Sequence, residues 1–123
     1  MAGKFEVKKT ATGWNFDLKS GNGEVILTSQ VYASEASCTA GITSIQNNAP
    51  VAAVEDQTVE GCEEEKNPKF EIFMDNAAEF RFRLKARNGE VIGASQGYSS
   101  KAGCKNGIES VVNNAPDAKV VEI

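Results

Sequence analysis

The strongest constraint on this chain is that it is written twice. Shifted by 66 residues along itself, it lays residues 14–54 over 80–120, and 23 of these 41 positions are identical. The identities include Phe16/Phe82, Leu18/Leu84, Asn22–Ile26 over Asn88–Ile92, Ser29-Gln30 over Ser95-Gln96, Tyr32/Tyr98, Cys38/Cys104 and both Asn-Asn-Ala-Pro ends. Lys4-Phe5-Glu6 lies over Lys69-Phe70-Glu71 at an offset of 65, so the second copy carries one extra residue in its first turn. Insertions of this kind fall in loops. The chain divides into a first repeat (1–54), an acidic joint (55–68) and a second repeat (69–123), the two repeats forming one compact unit.

One copy reads as β-β-β-α-β. Phe5 and Val7 alternate with charged residues, as do Trp14, Phe16 and Leu18 with Asn15, Asp17 and Lys19, the period of half-buried strands. Asn22-Gly23 and Asn88-Gly89 predict hairpin turns in which both residues take positive φ. Ser34 and Ser100 are N-cap candidates for helices whose apolar stripes are Cys38, Ile42, Ile45, Ala49 and Cys104, Ile108, Val111, Ala115. Asn48 and Asn114 suit a left-handed C-terminal residue ahead of Pro50 and Pro116. Gly41 and Gly107 lie on the buried helix faces, where a missing side chain permits close approach. Short strands at 52–54 and 118–123 close each copy. A unit of about 55 residues with one helix buries too little apolar surface to stand well alone. The two copies are therefore expected to complete each other about a pseudo-twofold axis.

Composition narrows the chemistry. The chain has 123 residues, a net charge of -4, three cysteines and no histidine. Without histidine there is no Ser-His-Asp or Cys-His nucleophile and no histidine-ligated metal. No catalytic residue, cofactor or metal site is assigned. The negative balance sits in the joint, where six carboxylates face Lys66 alone, and the joint reads as a solvated, extended linker. The polar opening and the absence of a long apolar run lead us to expect a soluble, cytoplasmic protein with no membrane partner. A monomer is the simplest expectation, because the internal axis already satisfies the pairing.

The strand before Asn-Gly-Glu, Ile-Leu-Thr-Ser-Gln-x-Tyr at 26–32, Ser-Gln-Gly-Tyr-Ser-Ser-Lys at 95–101 and Gly-Ile-x-Ser-Ile/Val at 41–45 and 107–111 together resemble the YegP-like family of uncharacterised bacterial proteins. The resemblance implies an α+β fold. Two β(3)-α-β units share a continuous antiparallel sheet, helices pack on one face, and the C-terminal strands are exchanged between halves. That would place 52–54 beside the second copy and 120–123 beside the first. The acidic joint and Glu35, where the second copy has Lys101, depart from the family pattern. No activity is carried over.

Two residue sets are candidates for binding. Ser29, Gln30 and Tyr32 with Ser95, Gln96 and Tyr98 recur at a strand-to-helix junction; they line a small ligand site at the symmetric centre or bond the junction backbone. Arg81, Arg83, Lys85 and Arg87 alternate along one strand and form a basic face, either for phosphate or balanced by neighbouring carboxylates. Only one copy carries this stripe and it lacks exposed aromatics for base stacking, so nucleic acid is not the expected partner. Cys38 and Cys104 are either core residues or redox thiols. The leading expectation is a non-enzymatic binding or interaction module for a protein or small molecule. The alternatives are weak phosphate or nucleic-acid binding through the basic face, and thiol redox chemistry.

Overall fold

The computed structural model describes residues 3–123. The order is β1 (Lys4–Lys9), β2 (Trp14–Lys19), β3 (Val25–Thr28), α1 (Glu35–Asn48), β4 (Ala53–Asp56), β5 (Lys69–Met74), β6 (Phe80–Lys85), β7 (Val91–Ala94), α2 (Lys101–Asn114) and β8 (Lys119–Glu122). Each half is β-β-β-α-β, as its sequence period implies, and a 3-10 turn containing the proline follows each helix. The eight strands make one sheet in the order β4-β5-β6-β7-β3-β2-β1-β8. The closing strands are exchanged: β4 of the first repeat pairs with β5 of the second, and β8 pairs with β1.

The sheet is mixed, which corrects the expectation of a wholly antiparallel one. β4–β5 and β8–β1 are parallel, and the remaining pairs are antiparallel. The joint supplies the reason. Successive parallel strands need a crossover of a dozen or more residues, and 12 residues, 57–68, separate β4 from β5. The acidic stretch begins inside β4, with Glu55 and Asp56 as strand residues. Its chain then folds back against the sheet, since the Glu65 N–H donates to Glu55 Oε1 at 2.7 Å. It is a crossover and not an extended spacer.

Both helices cover the same face, α1 over β2 of its own half and β7 of the other, α2 over β6 and β3. Beneath them lies one continuous core that includes Phe5, Phe16, Leu18, Leu27, Ile42 and Ile45 from one half and Phe70, Ile72, Phe82, Leu84 and Val111 from the other. Each fully buried side chain of this size contributes about 1.5–3 kcal/mol. The internal symmetry extends to ring geometry. Phe5 meets Phe16 edge-on at 5.6 Å and Phe70 meets Phe82 edge-on at 5.8 Å, while Tyr32 and Tyr98 stack on Phe16 and Phe82 at 6.4 and 6.3 Å.

The helix ends follow local chemistry. Ser34 and Ser100 cap the N-termini, accepting from the N–H groups of Ser37 and Gly103. Asn48 and Asn114 do not take the left-handed conformation anticipated for them; both stay right-handed, and each amide donates to the carbonyl four residues back, Ser44 or Ser110. Proline at the next position but one is tolerated because it falls at the start of a 3-10 turn. The hairpins also differ in detail. In the two Asn-Gly turns the glycines Gly23 and Gly89 take positive φ, +88° and +85°, while their asparagines do not. Each Asn instead accepts a bond from the N–H two residues on, and the ladder register shifts at Leu18/Lys19 and Leu84/Lys85. This is a type I turn closed by a glycine bulge.

Candidate functional site

The half-turn relating the repeats passes between β3 and β7, which meet at the single register pair Thr28–Ala94. On the helix-free face this short seam leaves a groove of about 590 Å³. Equivalent residues of both repeats line it: Val25 with Val91, Ser29-Gln30 with Ser95-Gln96, and Arg81 at one end. The serine hydroxyls are committed to the backbone. Ser29 Oγ accepts from the Phe16 N–H at 2.9 Å and donates to the Gln30 carbonyl at 2.7 Å. Ser95 repeats both bonds with Phe82 and Gln96 at 2.9 and 2.8 Å. Both serines are buried, so these bonds also satisfy their hydroxyls. What they leave available are the amides of Gln30 and Gln96, exposed on the groove wall.

The tyrosines do not join this site. Tyr32 and Tyr98 bridge to Trp14 and Phe80 through the backbone and turn to the helix side, each hydroxyl set against a helix glycine, Gly41 or Gly107. Burial raises the pKa of both. The structure thus divides the six junction residues, gathering Ser29, Gln30, Ser95 and Gln96 at the centre and sending the two tyrosines into the packing beneath α1 and α2.

The basic stripe is balanced. Arg81 donates from Nε to the Asp75 carboxylate and from Nη1 to the Ser95 carbonyl at 3.1 Å. Its guanidinium holds Asp75 below the usual carboxylate range. Arg83 lies 2.6 Å from Glu71 and over the Phe73 ring at 4.6 Å, and Lys85 lies 3.3 Å from Glu71. Arg87 is not on the strand face: β6 ends at Lys85, and Arg87 sits in the following turn beside Glu64, Glu65 and Lys66. The bulge that tightens the hairpin breaks the strand alternation there.

A second polar cluster escaped the sequence reading. Lys69 Nζ lies 2.9 Å from Glu55 and 3.4 Å from Glu71, beneath the joint. Bonds from Lys69, Gln57 and the Glu65 N–H bring the Glu55 pKa down to about 2, and Glu55 in turn raises that of Lys69. Burial pushes Glu71 up, but Arg83 and Lys85 outweigh it and its pKa is lowered. The first half matches Lys69, Glu71 and Lys85 with Lys4, Glu6 and Lys19, where Glu6 is buried but Lys4 reaches solvent. The signal was present, since lysine, glutamate and lysine recur at all three positions. At the position equivalent to Arg81, Asn15 buries its Oδ1 without a hydrogen-bond partner among the described residues. Both repeated thiols are buried. Burial raises Cys38, with Glu35 adding to it, and raises Cys104 to about 11.

A family model described as a domain of unknown function, DUF1508, matches the chain twice, over residues 10–56 and 75–122. The chain belongs to the DUF1508 family. Among relatives of this DUF1508 protein, the UPF0339 protein YegP of Yersinia pestis is 41% identical over 113 residues, covering 91% of this chain and 88% of that one. The solution NMR structure of yegP from E. coli, described as a protein of unknown function, superposes with a TM-score of 0.80 at 35% identity, covering 99% of this chain and 93% of that one. The resemblance read from the repeated motifs is therefore correct. A UPF0339 protein of Treponema denticola is 66% identical over 55 residues, 45% of this chain but 95% of its own. That relative therefore spans little more than one repeat of this chain. No helix among the described residues is long and apolar enough to cross a membrane.

Proposed function

We propose that this DUF1508 protein is a non-enzymatic binding module whose ligand site is the seam groove. One observation carries the reading: residues identical in the two repeats, Val25/Val91 and Ser29-Gln30/Ser95-Gln96, converge on a single groove on the face the helices leave free. Buried serines fix the backbone beneath two exposed amides. Each amide offers a donor and an acceptor, and the valines offer apolar contact between them. Arg81 adds a cation at one end, already shared with Asp75. This chemistry suits a small polar molecule, neutral or singly anionic, with an apolar middle. It suits a phosphate backbone poorly, because Arg81, Arg83 and Lys85 all face carboxylates.

The test is a titration of isotope-labelled protein with a panel of small amides and monocarboxylates, read residue by residue by NMR. The expected result is shifts concentrated at Thr28, Gln30, Ala94 and Gln96. Replacing both glutamines, Gln30→Ala with Gln96→Ala, then weakens the best probe at least about tenfold, as the loss of two hydrogen-bonding groups implies. Shifts centred elsewhere, or affinity indifferent to the double substitution, refute the reading.

A further inference from the structure

The internal axis completes the core but leaves two sheet edges, and these edges differ. Along β8 the Ile123 N–H donates to the Val7 carbonyl at 2.9 Å. Backbone groups alternate sides along a strand, so the N–H and C=O of Val121 also face β1, while those of Val120 and Glu122 point outward. Among the described residues nothing pairs with them. The apolar side chains on this edge are open as well: Val120 is 52% exposed, Val121 37% and Ile123 65%. The opposite edge is blunted. Beyond β4 the chain turns at once, the Val59 N–H takes the outward Asp56 carbonyl at 3.3 Å, and the Asp56 side chain is held by Thr58 and by Lys101 at 3.0 Å.

We infer that the β8 edge is a self-association surface whose partner is β8 of a second copy of this chain, paired antiparallel about Val121. The outward groups are self-complementary only when the strand is reversed on itself. Val120 of one copy then meets Glu122 of the other, each such pair exchanges two backbone hydrogen bonds, and the two pairs flank Val121 facing its own counterpart on the axis. Paired residues also stay on the same face of the joined sheet, as pleating requires. Pairing β8 with β8 uses the same edge of both copies, and the β4 edge already has its Asp56 carbonyl taken, so association closes at two copies. A four-residue strand buries far less than the roughly 1,200 Å² of a standard interface. The dimer is therefore weak and forms only at high concentration.

Sedimentation equilibrium over a wide concentration range should show a monomer–dimer equilibrium and no larger species. Glu122→Pro removes one outward donor per copy and leaves the Ile123 bond to Val7 intact; it should weaken the dimer at least about tenfold. Val121→Lys sets like charges against each other on the axis and should abolish it. Opposed residues in a non-hydrogen-bonded antiparallel pair have Cα atoms about 4.5 Å apart, within disulfide range. Val121→Cys, with exposed Cys62 changed to serine, should therefore form a covalent dimer under mild oxidation. Val54→Cys on the other edge should not. A protein that remains monomeric at millimolar concentration overturns the inference. So does a dimer insensitive to Val121→Lys, or Val54→Cys cross-linking as fast as Val121→Cys. Binding of an unrelated extended peptide to β8 without self-association overturns it too.

Discussion

Glycine in the middle of a helix costs about 1 kcal/mol relative to alanine, so Gly107→Ala in α2 would stabilise an unencumbered helix by about that amount. The packing predicts the opposite. A Cβ added at Gly107 would lie 2.4 Å from Tyr98 Oη, 2.8 Å from its Cζ and 3.0 Å from Phe82 Cε2. Ordinary contact begins about 1 Å further out. The tyrosine has little room to yield, since its ring stacks on Phe82 and its backbone bonds Phe80 in both directions. Overpacking of this kind costs about 1–3 kcal/mol. Set against the helix gain, Gly107→Ala should destabilise by about 1 kcal/mol, lowering Tm by about 3–5 °C for a chain of this size. Gly41→Ala faces the same contact with Tyr32 and should behave alike. The sign should reverse once the obstacle is gone: in a Tyr98→Ala background, Gly107→Ala should stabilise. A double-mutant cycle by chemical denaturation measures the coupling. If Gly107→Ala stabilises with Tyr98 in place, close approach is not why these glycines stand in the helices.

Two further predictions follow from the joint and the duplication. Glu55 has its pKa depressed in the folded state, so its stabilising effect is present above the unfolded carboxylate range near pH 4.3 and is lost as pH falls toward about 2. Glu55→Gln should cost about 1–3 kcal/mol at pH 7 by leaving Lys69 short of a partner, and should flatten the acid limb of the stability profile; an unchanged acid limb refutes the assignment. Cutting the chain between Cys62 and Glu63, in an exposed stretch, should give fragments that are poorly folded alone at low concentration and regain the native spectrum when mixed. A lone fragment that is a compact, cooperatively melting monomer would refute mutual completion.

Most of the architecture was legible because it depends on period. Alternation at Trp14–Leu18 and Phe80–Leu84, the 3.6-residue stripe from Cys38 to Ala49 and the serine caps are local signals, and local signals gave the right elements. The exchange of closing strands came from the family resemblance. Strand direction was not legible, because it depends on where a crossover lands; a count of 12 residues between β4 and β5 was available, but the joint's carboxylates suggested a spacer. The site was half legible for a related reason. Identity between copies picked out Ser29-Gln30 and Ser95-Gln96, which the axis brings together. It also picked out Tyr32 and Tyr98, repeated because each packs against its own helix glycine. Duplication marks symmetric packing and symmetric binding alike, and only the sheet face to which each residue turns separates them.

The places where the copies differ are as informative as those where they agree, because the differences compensate. In the first half Lys8 pairs with Asp17 at 2.8 Å; at the matching positions the second half has Phe73 and Arg83, and the guanidinium lies over the ring. In the second half the crossover roofs the polar layer, and the Lys69 side chain is 5% exposed where Lys4 is 47% exposed. A lysine under cover requires further negative charge, and Glu55 provides it from the exchanged strand. The residue equivalent to Glu55 is Val121. Lys4 reaches water, so its exchanged strand is free of that electrostatic demand and can present valine. The same joint that connects the repeats thus makes their outer strands unlike, one carrying a buried carboxylate and an edge partly covered at Asp56, the other an apolar residue and an open edge. A glutamate placed at Val121 would lie beside Glu6 with no roofed lysine to neutralise it.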